Sequence, residues 1–247
     1  MLLTNTSIAI LVIGEAFRSS YTRLPCTLES IGPQKEATIS YVKNVFTPLS
    51  LKNKVDMFYT MSKCTNPIFF KRMRFWMPPN SHNVQVTSRS FASGWKMGYK
   101  LIQKHMKETG SDYDFIFQGR HDIMVPTSII HWPSNFRHLL FEQEGRYCRS
   151  GCSFGGFLKH QIDRCGNSRI CSADRFAWIP RKYFDVFFLV SNDDRPNEQS
   201  GYNEWGHLFL ENFNRSEYGF LFPDCGKFAS QLACDHVALY RPSDKAK

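Results

Sequence analysis

No stretch of this chain reaches the roughly 18–20 apolar residues of a membrane span, and no low-complexity tract, internal repeat or linker interrupts it. The first apolar run, Ile8 to Ile13, has no basic segment ahead of it. It therefore reads as a first strand rather than a signal peptide. Charged residues are only 21% of the chain, and low complexity is missing, so global disorder is not expected. Acidic residues are the scarcer sign, 22 against 31 Lys plus Arg, which leaves a formal net charge of +9. A surplus of that size favours anionic partners such as phosphates, nucleotides or acidic lipid. The basic residues are scattered, apart from Lys71-Arg72-Met73-Arg74, and no basic helix or RNA-binding aromatic motif stands out. Nucleic acid is therefore not the expected partner.

What is present is the material of a core. The 247 residues are 42% hydrophobic and include 22 Phe, 10 Tyr and 5 Trp. That length accommodates one large domain or two small ones, and without a linker a single domain over residues 1–247 is the simplest organisation. Eight cysteines, Cys26, Cys64, Cys148, Cys152, Cys165, Cys171, Cys225 and Cys234, allow 105 full pairings. They fit disulfides in an oxidising lumen. Cys148-x3-Cys152 with Cys165 and Cys171 could instead hold zinc, although its spacing departs from the usual two-residue knuckle. Asn5-Thr6-Ser7 and Asn214-Arg215-Ser216 have the form of glycosylation sites. Disulfides point to the secretory lumen; a missing leader fits the cytosol or a truncated chain.

Periodicity supplies the elements. Ser7 to Ile13 suits a buried strand ending at Gly14, where glycine lets the backbone pass close to a ligand. Ile39, Val42 and Phe46 have helical spacing within 37–47, and Pro48 should stop that helix. Lys54 to Met61 is a second strand, the proline-containing 65–83 an irregular loop, and Val84-Gln85-Val86 a third strand. Trp95, Tyr99, Ile102 and Met106 form one face of a helix from Ser93 to Lys107, with Ser93 as its cap and Gly110 as its stop. A fourth strand runs to Asp122. Strand, helix, strand, strand, helix, strand is the order of a doubly wound α/β half. Farther on, short strands are expected within 145–156, helices from Ser172 to about Val190 and from Tyr202 to Phe213, and strands at Tyr218–Phe222 and His236–Tyr240.

The most informative segment is Tyr113-Asp114-Phe115-Ile116-Phe117-Gln118-Gly119-Arg120-His121-Asp122. An apolar strand running into Arg-x-Asp delivers a carboxylate to the lip of the sheet, where open α/β folds bind ligands. A cation and an acid two residues apart suit phosphate and metal chemistry. They also suit an ion pair that merely closes the junction.

Four segments resemble the GT-A-fold nucleotide-sugar glycosyltransferases. They are Ile8 to Gly14 with Arg18, Val55-Asp56-Met57-Phe58, the Tyr113-to-Asp122 stretch, and Ser172-Ala173-Asp174-Arg175-Phe176-Ala177. The Arg-x-Asp takes the place of the family's better-known Asp-x-Asp, and His121 stands where proline is frequent. The resemblance implies a Rossmann-like GT-A fold, with a central, mostly parallel sheet flanked by helices and an irregular C-terminal half. It divides the chain into a nucleotide-binding half, about 7–125, and an acceptor-side half, about 126–241.

It also implies a transferase moving a sugar from a nucleotide-sugar donor to a glycan or protein acceptor. The alternatives are a non-catalytic glycan- or protein-binding domain of that fold and a basic, cysteine-rich interaction module. Asp122 would hold Mn²⁺ or Mg²⁺ with His236, while Gly14, Arg18 and Arg120 would meet the nucleotide and its phosphates. Asp174, with Glu204 second, would be the base for the acceptor hydroxyl. His207 and His236 are further candidates for a metal or the diphosphate, and Trp178 and Trp205 for stacking on sugar. For each the structural alternative is ordinary: a turn glycine, a helix cap, a solvated charge, a core aromatic. Donor, acceptor and retention versus inversion are left open.

Overall fold

The first apolar run is the centre of the sheet. In a computed structural model, which describes residues 4–14, 16–17, 26–86, 91–132, 135–141, 176–192 and 218–220, Ser7–Ile13 forms β1. It pairs in parallel with β2 (Lys54–Ser62) on one side and β4 (Phe115–Arg120) on the other. β3 (His82–Val86) adds in parallel outside β2. Beyond β4 come β6 (Ala177–Pro180), antiparallel to it, then β5 (Leu139–Phe141) and β7 (Tyr218–Phe220). The seven described strands thus lie in the order β3-β2-β1-β4-β6-β5-β7. This is the α/β architecture, with a mostly parallel sheet, that the sequence led us to expect.

Both faces of β1 are covered, as a continuous apolar run requires. Ile8, Ile10 and Val12 pack with Tyr41, Val45, Phe69 and Met73 from α1 (Ile31–Tyr41), the helical turns after it, and α3 (Ile68–Trp76). Ala9, Leu11 and Ile13 face α4 (Phe91–Thr109) and α5 (Phe184–Asn192) through Trp95, Tyr99, Ile102 and Phe187. Each such aliphatic side chain, fully buried, contributes roughly 1.5–3 kcal/mol. Gly98 of α4 permits this closeness: a Cβ there would stand 2.8 Å from Leu11 Cδ1. Gly110 ends α4 with φ +67°, as expected of a glycine stop.

The structure corrects four expectations. The first helix begins at Ile31, and its buried side is Gln34, Ala37, Thr38, Ser40 and Tyr41, whereas Ile39 is 43% exposed. Nor does Pro48 stop it. The chain continues through a π segment, Val42–Phe46, into α2 (Thr47–Ser50), the register shift falling just ahead of a nitrogen that cannot donate. Residues 65–83 are not all loop, because α3 starts directly after Pro67 and ends before Pro78. Prolines flanking a helix are compatible with it. Finally, Ala177–Pro180 is strand, so the helix expected from Ser172 begins only at Phe184. The strand and helix expected within 145–156 and 202–213, and the strand at 236–240, lie outside the described residues.

Candidate functional site

From β1 the chain winds outward to β2 and β3, then returns to lay β4 on the other side of β1. The carboxyl ends of β1 and β4 therefore flank the sheet's switch point, where crossovers diverge and leave a crevice. Ile13 and Arg120 are paired neighbours at that lip, and the His121 amide donates to the Ile13 carbonyl at 3.0 Å. A proline at 121 would lose this bond. β1 then gives way to Gly14 with φ +100°, a conformation that favours glycine.

Arg120 and Asp122 form a two-pronged pair. Nε meets Oδ1 at 2.9 Å and Nη2 meets Oδ2 at 3.0 Å, with side-chain exposures of 7% and 15%. A planar fork on a planar carboxylate fixes both groups. Asp122 is thereby held at the lip with an orientation set by β4 itself. Of the two alternatives left open in the sequence, the junction-closing ion pair is present at this lip.

His121, between them, points inward and is buried. Its Nε2 lies 2.5 Å from the Thr60 carbonyl of β2. A carbonyl only accepts, so Nε2 carries the hydrogen of a neutral ring. Burial pushes the imidazole down to about 4, against smaller upward pulls from that bond and from Asp122.

The polar side of α1 ties the lip together. Gln34 accepts from the Phe17 amide at 2.8 Å and donates to the His121 carbonyl at 3.1 Å, joining the segments after β1 and β4. Tyr41 Oη accepts the Arg120 amide at 2.9 Å, just past the point where β4 leaves β6 at Gln118. Ser40 accepts from the Val125 amide and Asn44 donates to its carbonyl, at 3.0 and 2.6 Å. Gly119 is required here, because a Cβ would collide with the Tyr41 ring and hydroxyl. No sequence signal marked Gln34 or Tyr41, because a buried polar helix face has no apolar periodicity.

Phe17 and Cys26 both adopt positive φ, +58° and +63°. Non-glycine residues hold that region at a cost of order 1 kcal/mol or more. Surrounding contacts enforce it: Phe17 is buried against Phe69 and Trp76, with ring centroids 5.0 and 5.9 Å away, and the Cys26 amide donates to Phe17 O at 2.8 Å. A Cys26–Cys64 disulfide then staples this segment to the chain just beyond β2.

Of the predicted site residues, the structure brings Gly14, Arg120 and Asp122 to one lip. Arg18, Asp174, Glu204, His207, Trp205 and His236 lie outside the described residues, as do the other six cysteines. Trp178 is core and not a sugar platform: it is fully buried, its Nε1 donates to Phe136 O at 2.7 Å, and it packs on Phe136 and Phe115. The chain does spell an Asp-x-Asp, Asp112-Tyr113-Asp114, but at the amino end of β4. There Asp112 pairs with Arg181 and Asp114 accepts from the Ser7 amide at 2.8 Å.

The resemblance also implies Mn²⁺ or Mg²⁺ at Asp122. Such ions take six or more oxygen ligands. The described lip offers one carboxylate, already engaged by a guanidinium on both oxygens. Asp122 is the described member of the expected pair, His236 lying outside the described residues, and no chemistry is routed through a cation. Among the described residues, the trio that could hold a metal ion is Asp56, His82 and His105, at the opposite end of the strands.

No protein-family model matches the chain, and no curated protein matches its sequence. Similar solved structures include the galactosyltransferase LgtC in complex with donor and acceptor sugar analogues, 10% identical with a TM-score of 0.46, over 87% of this chain and 72% of that one. A nucleoside-diphosphate-sugar pyrophosphorylase from Vibrio cholerae RC9 is 13% identical with a TM-score of 0.44, over 86% and 91%. The glycosyltransferase GlyE of Streptococcus pneumoniae TIGR4 is 9% identical with a TM-score of 0.39; the match covers 88% of this chain but only 45% of GlyE. These values establish no family for this chain.

Proposed function

We propose that this chain is a glycosyltransferase acting on a nucleotide-sugar donor bound at the switch point between β1 and β4. The observation that carries the reading is the convergence there of Gly14, with its positive φ, and Asp122, held by Arg120. The backbone at Gly14 admits the nucleotide closely. Asp122, oriented by Arg120, accepts hydrogen bonds from hydroxyls of the donor. Arg120 is a positioning residue for that carboxylate, and Arg18 meets the diphosphate.

In the transfer, the acceptor hydroxyl oxygen bonds to the anomeric carbon as the bond from that carbon to the diphosphate breaks. The nucleoside diphosphate leaves with the electron pair, and the hydroxyl proton passes to a carboxylate. Asp174 is assigned that role and Glu204 is the second candidate. Support for Asp174 comes from the direction of β6. It runs antiparallel to β4, so Ala177, three residues after Asp174, pairs with Gln118 on the lip side. His236 is kept as a further contact of the diphosphate side. The Cys26–Cys64 disulfide favours a secretory lumen.

The test is thermal shift and calorimetry of the full chain with UDP-, GDP- and CMP-sugars, followed by assay of donor hydrolysis. One nucleotide class should raise the Tm by mass action, and Asp122→Asn should weaken its binding. Absence of any nucleotide response would sink the proposal. Binding without turnover would leave the non-catalytic member of the fold as the correct reading.

A further inference from the structure

At the amino ends of the parallel strands, away from the lip, Asp56 of β2, His82 of β3 and His105 of α4 come together. One carboxylate oxygen and one nitrogen of each ring lie within 4.8 Å of one another. The residues are 26 and 23 positions apart along the chain, so only the fold assembles them. In the register of β2 with β3, His82 lies opposite Phe58, two residues along from Asp56, and α4 brings His105 over both.

Three observations make this more than a chance cluster. The imidazoles are close, with centroids 4.2 Å apart, yet among the described residues neither ring has a hydrogen-bond partner. Phe58 packs against both rings and against Tyr113, with centroids at 4.9, 5.3 and 6.0 Å, so an aromatic wall fixes their positions. Asp56 is oriented from behind: Tyr113 donates to its Oδ2 at 2.7 Å. A ligating carboxylate held by an outer hydrogen bond is the usual support of a metal centre.

We infer that Asp56, His82 and His105 form a zinc-binding site that clamps α4 to the β2–β3 edge of the sheet. Two imidazoles and one carboxylate suit zinc or a neighbouring late first-row ion rather than magnesium or calcium. Metal–ligand bonds of about 2.0–2.2 Å in a tetrahedron set donors roughly 3.3–3.5 Å apart. The three groups, all within 4.8 Å of one another, would therefore draw together by at most about 1.5 Å, and water would complete the shell. The site needs neither Gly14 nor Asp122 and does not depend on the glycosyltransferase reading.

The experiment is competition of the metal-free full chain with a chromophoric chelator for Zn²⁺, with cobalt substitution as an independent readout. Wild type should bind one equivalent at this site, the His82→Gln/His105→Gln variant should lose it, and Tyr113→Phe should bind at least about tenfold more weakly. Cobalt at the site should show ligand-field bands without a thiolate charge-transfer band, which sets it apart from any cysteine site. The response to nucleotide sugar should be unchanged in the histidine variant. Equal zinc binding in wild type and the histidine variant, or cobalt bound through thiolate alone, would overturn the assignment. If that variant does not fold, the wild-type cobalt spectrum still decides.

Discussion

The Tyr41 hydroxyl accepts the amide hydrogen of Arg120 at 2.9 Å, across 79 residues of sequence. The bond forms where β4 has left its partner β6, so a helix side chain supplies what the sheet no longer does. Tyr41 is buried and stacks on Phe176 at 5.8 Å, which fixes its ring. Replacing it with phenylalanine keeps the packing and strands a buried N–H. The expected cost is about 1–3 kcal/mol. Urea unfolding of Tyr41→Phe should register it, together with weaker nucleotide binding because Arg120 loses its anchor.

The Arg120–Asp122 pair makes a separate prediction. Arg120 is almost wholly buried, so Asp122→Asn leaves a guanidinium inside the fold without that carboxylate. Breaking a buried pair from one side costs on the order of 3 kcal/mol. A double-mutant cycle with Arg120→Met and Asp122→Asn should therefore show coupling of about 1–3 kcal/mol, the double variant being more stable than the single effects predict. A coupling near zero would mean that the fork is not held in solution.

Much of this architecture was legible because the parallel strands are buried on both sides and read as plain apolar runs. The α4 face of Trp95, Tyr99 and Ile102 was equally plain. The first helix starts earlier than its apolar spacing suggests because its inward face carries Gln34, Thr38 and Ser40 beside Ala37 and Tyr41, and such a face has no apolar periodicity. The helix α3 was hidden by prolines that bracket it, and β6 is too short for alternation to separate it from helix. At the site, Gly14 and Arg-x-Asp were visible as local motifs. That the arginine and acid hold each other is a matter of rotamer and burial, which spacing does not encode. The Asp56–His82–His105 trio had no local sign, because strand register and helix docking create it.

His121 should make folding acid-sensitive. Its pKa is lowered from an ordinary 6.5 to about 4 by burial, so the unfolded chain takes up a proton at a pH where the folded chain does not. The contribution is fully present above the unfolded value and declines as pH falls from about 6.5 toward 4. Between about pH 7.5 and about pH 5 the loss should be on the order of 2 kcal/mol. Urea titrations at those two values should show a smaller decline for His121→Gln than for the wild type. Equal declines would show that His121 is not buried as a neutral ring.

The Cys26–Cys64 disulfide closes a loop of sequence separation 38, containing α1, the π segment, α2 and all of β2. Closing a loop of that length lowers the entropy of the unfolded chain and stabilises the fold by about 4 kcal/mol in the chain-entropy account. The bond also fixes Cys26, whose amide holds Phe17 in its positive-φ conformation beside the lip. Two effects should therefore separate in Cys26→Ser/Cys64→Ser. The midpoint of urea unfolding should fall by an amount corresponding to several kcal/mol. At low denaturant, where the variant is still folded, nucleotide affinity should fall as well, because the segment after Gly14 loses its staple. A variant destabilised to that extent, yet binding nucleotide as the wild type does, would assign the disulfide to stability alone.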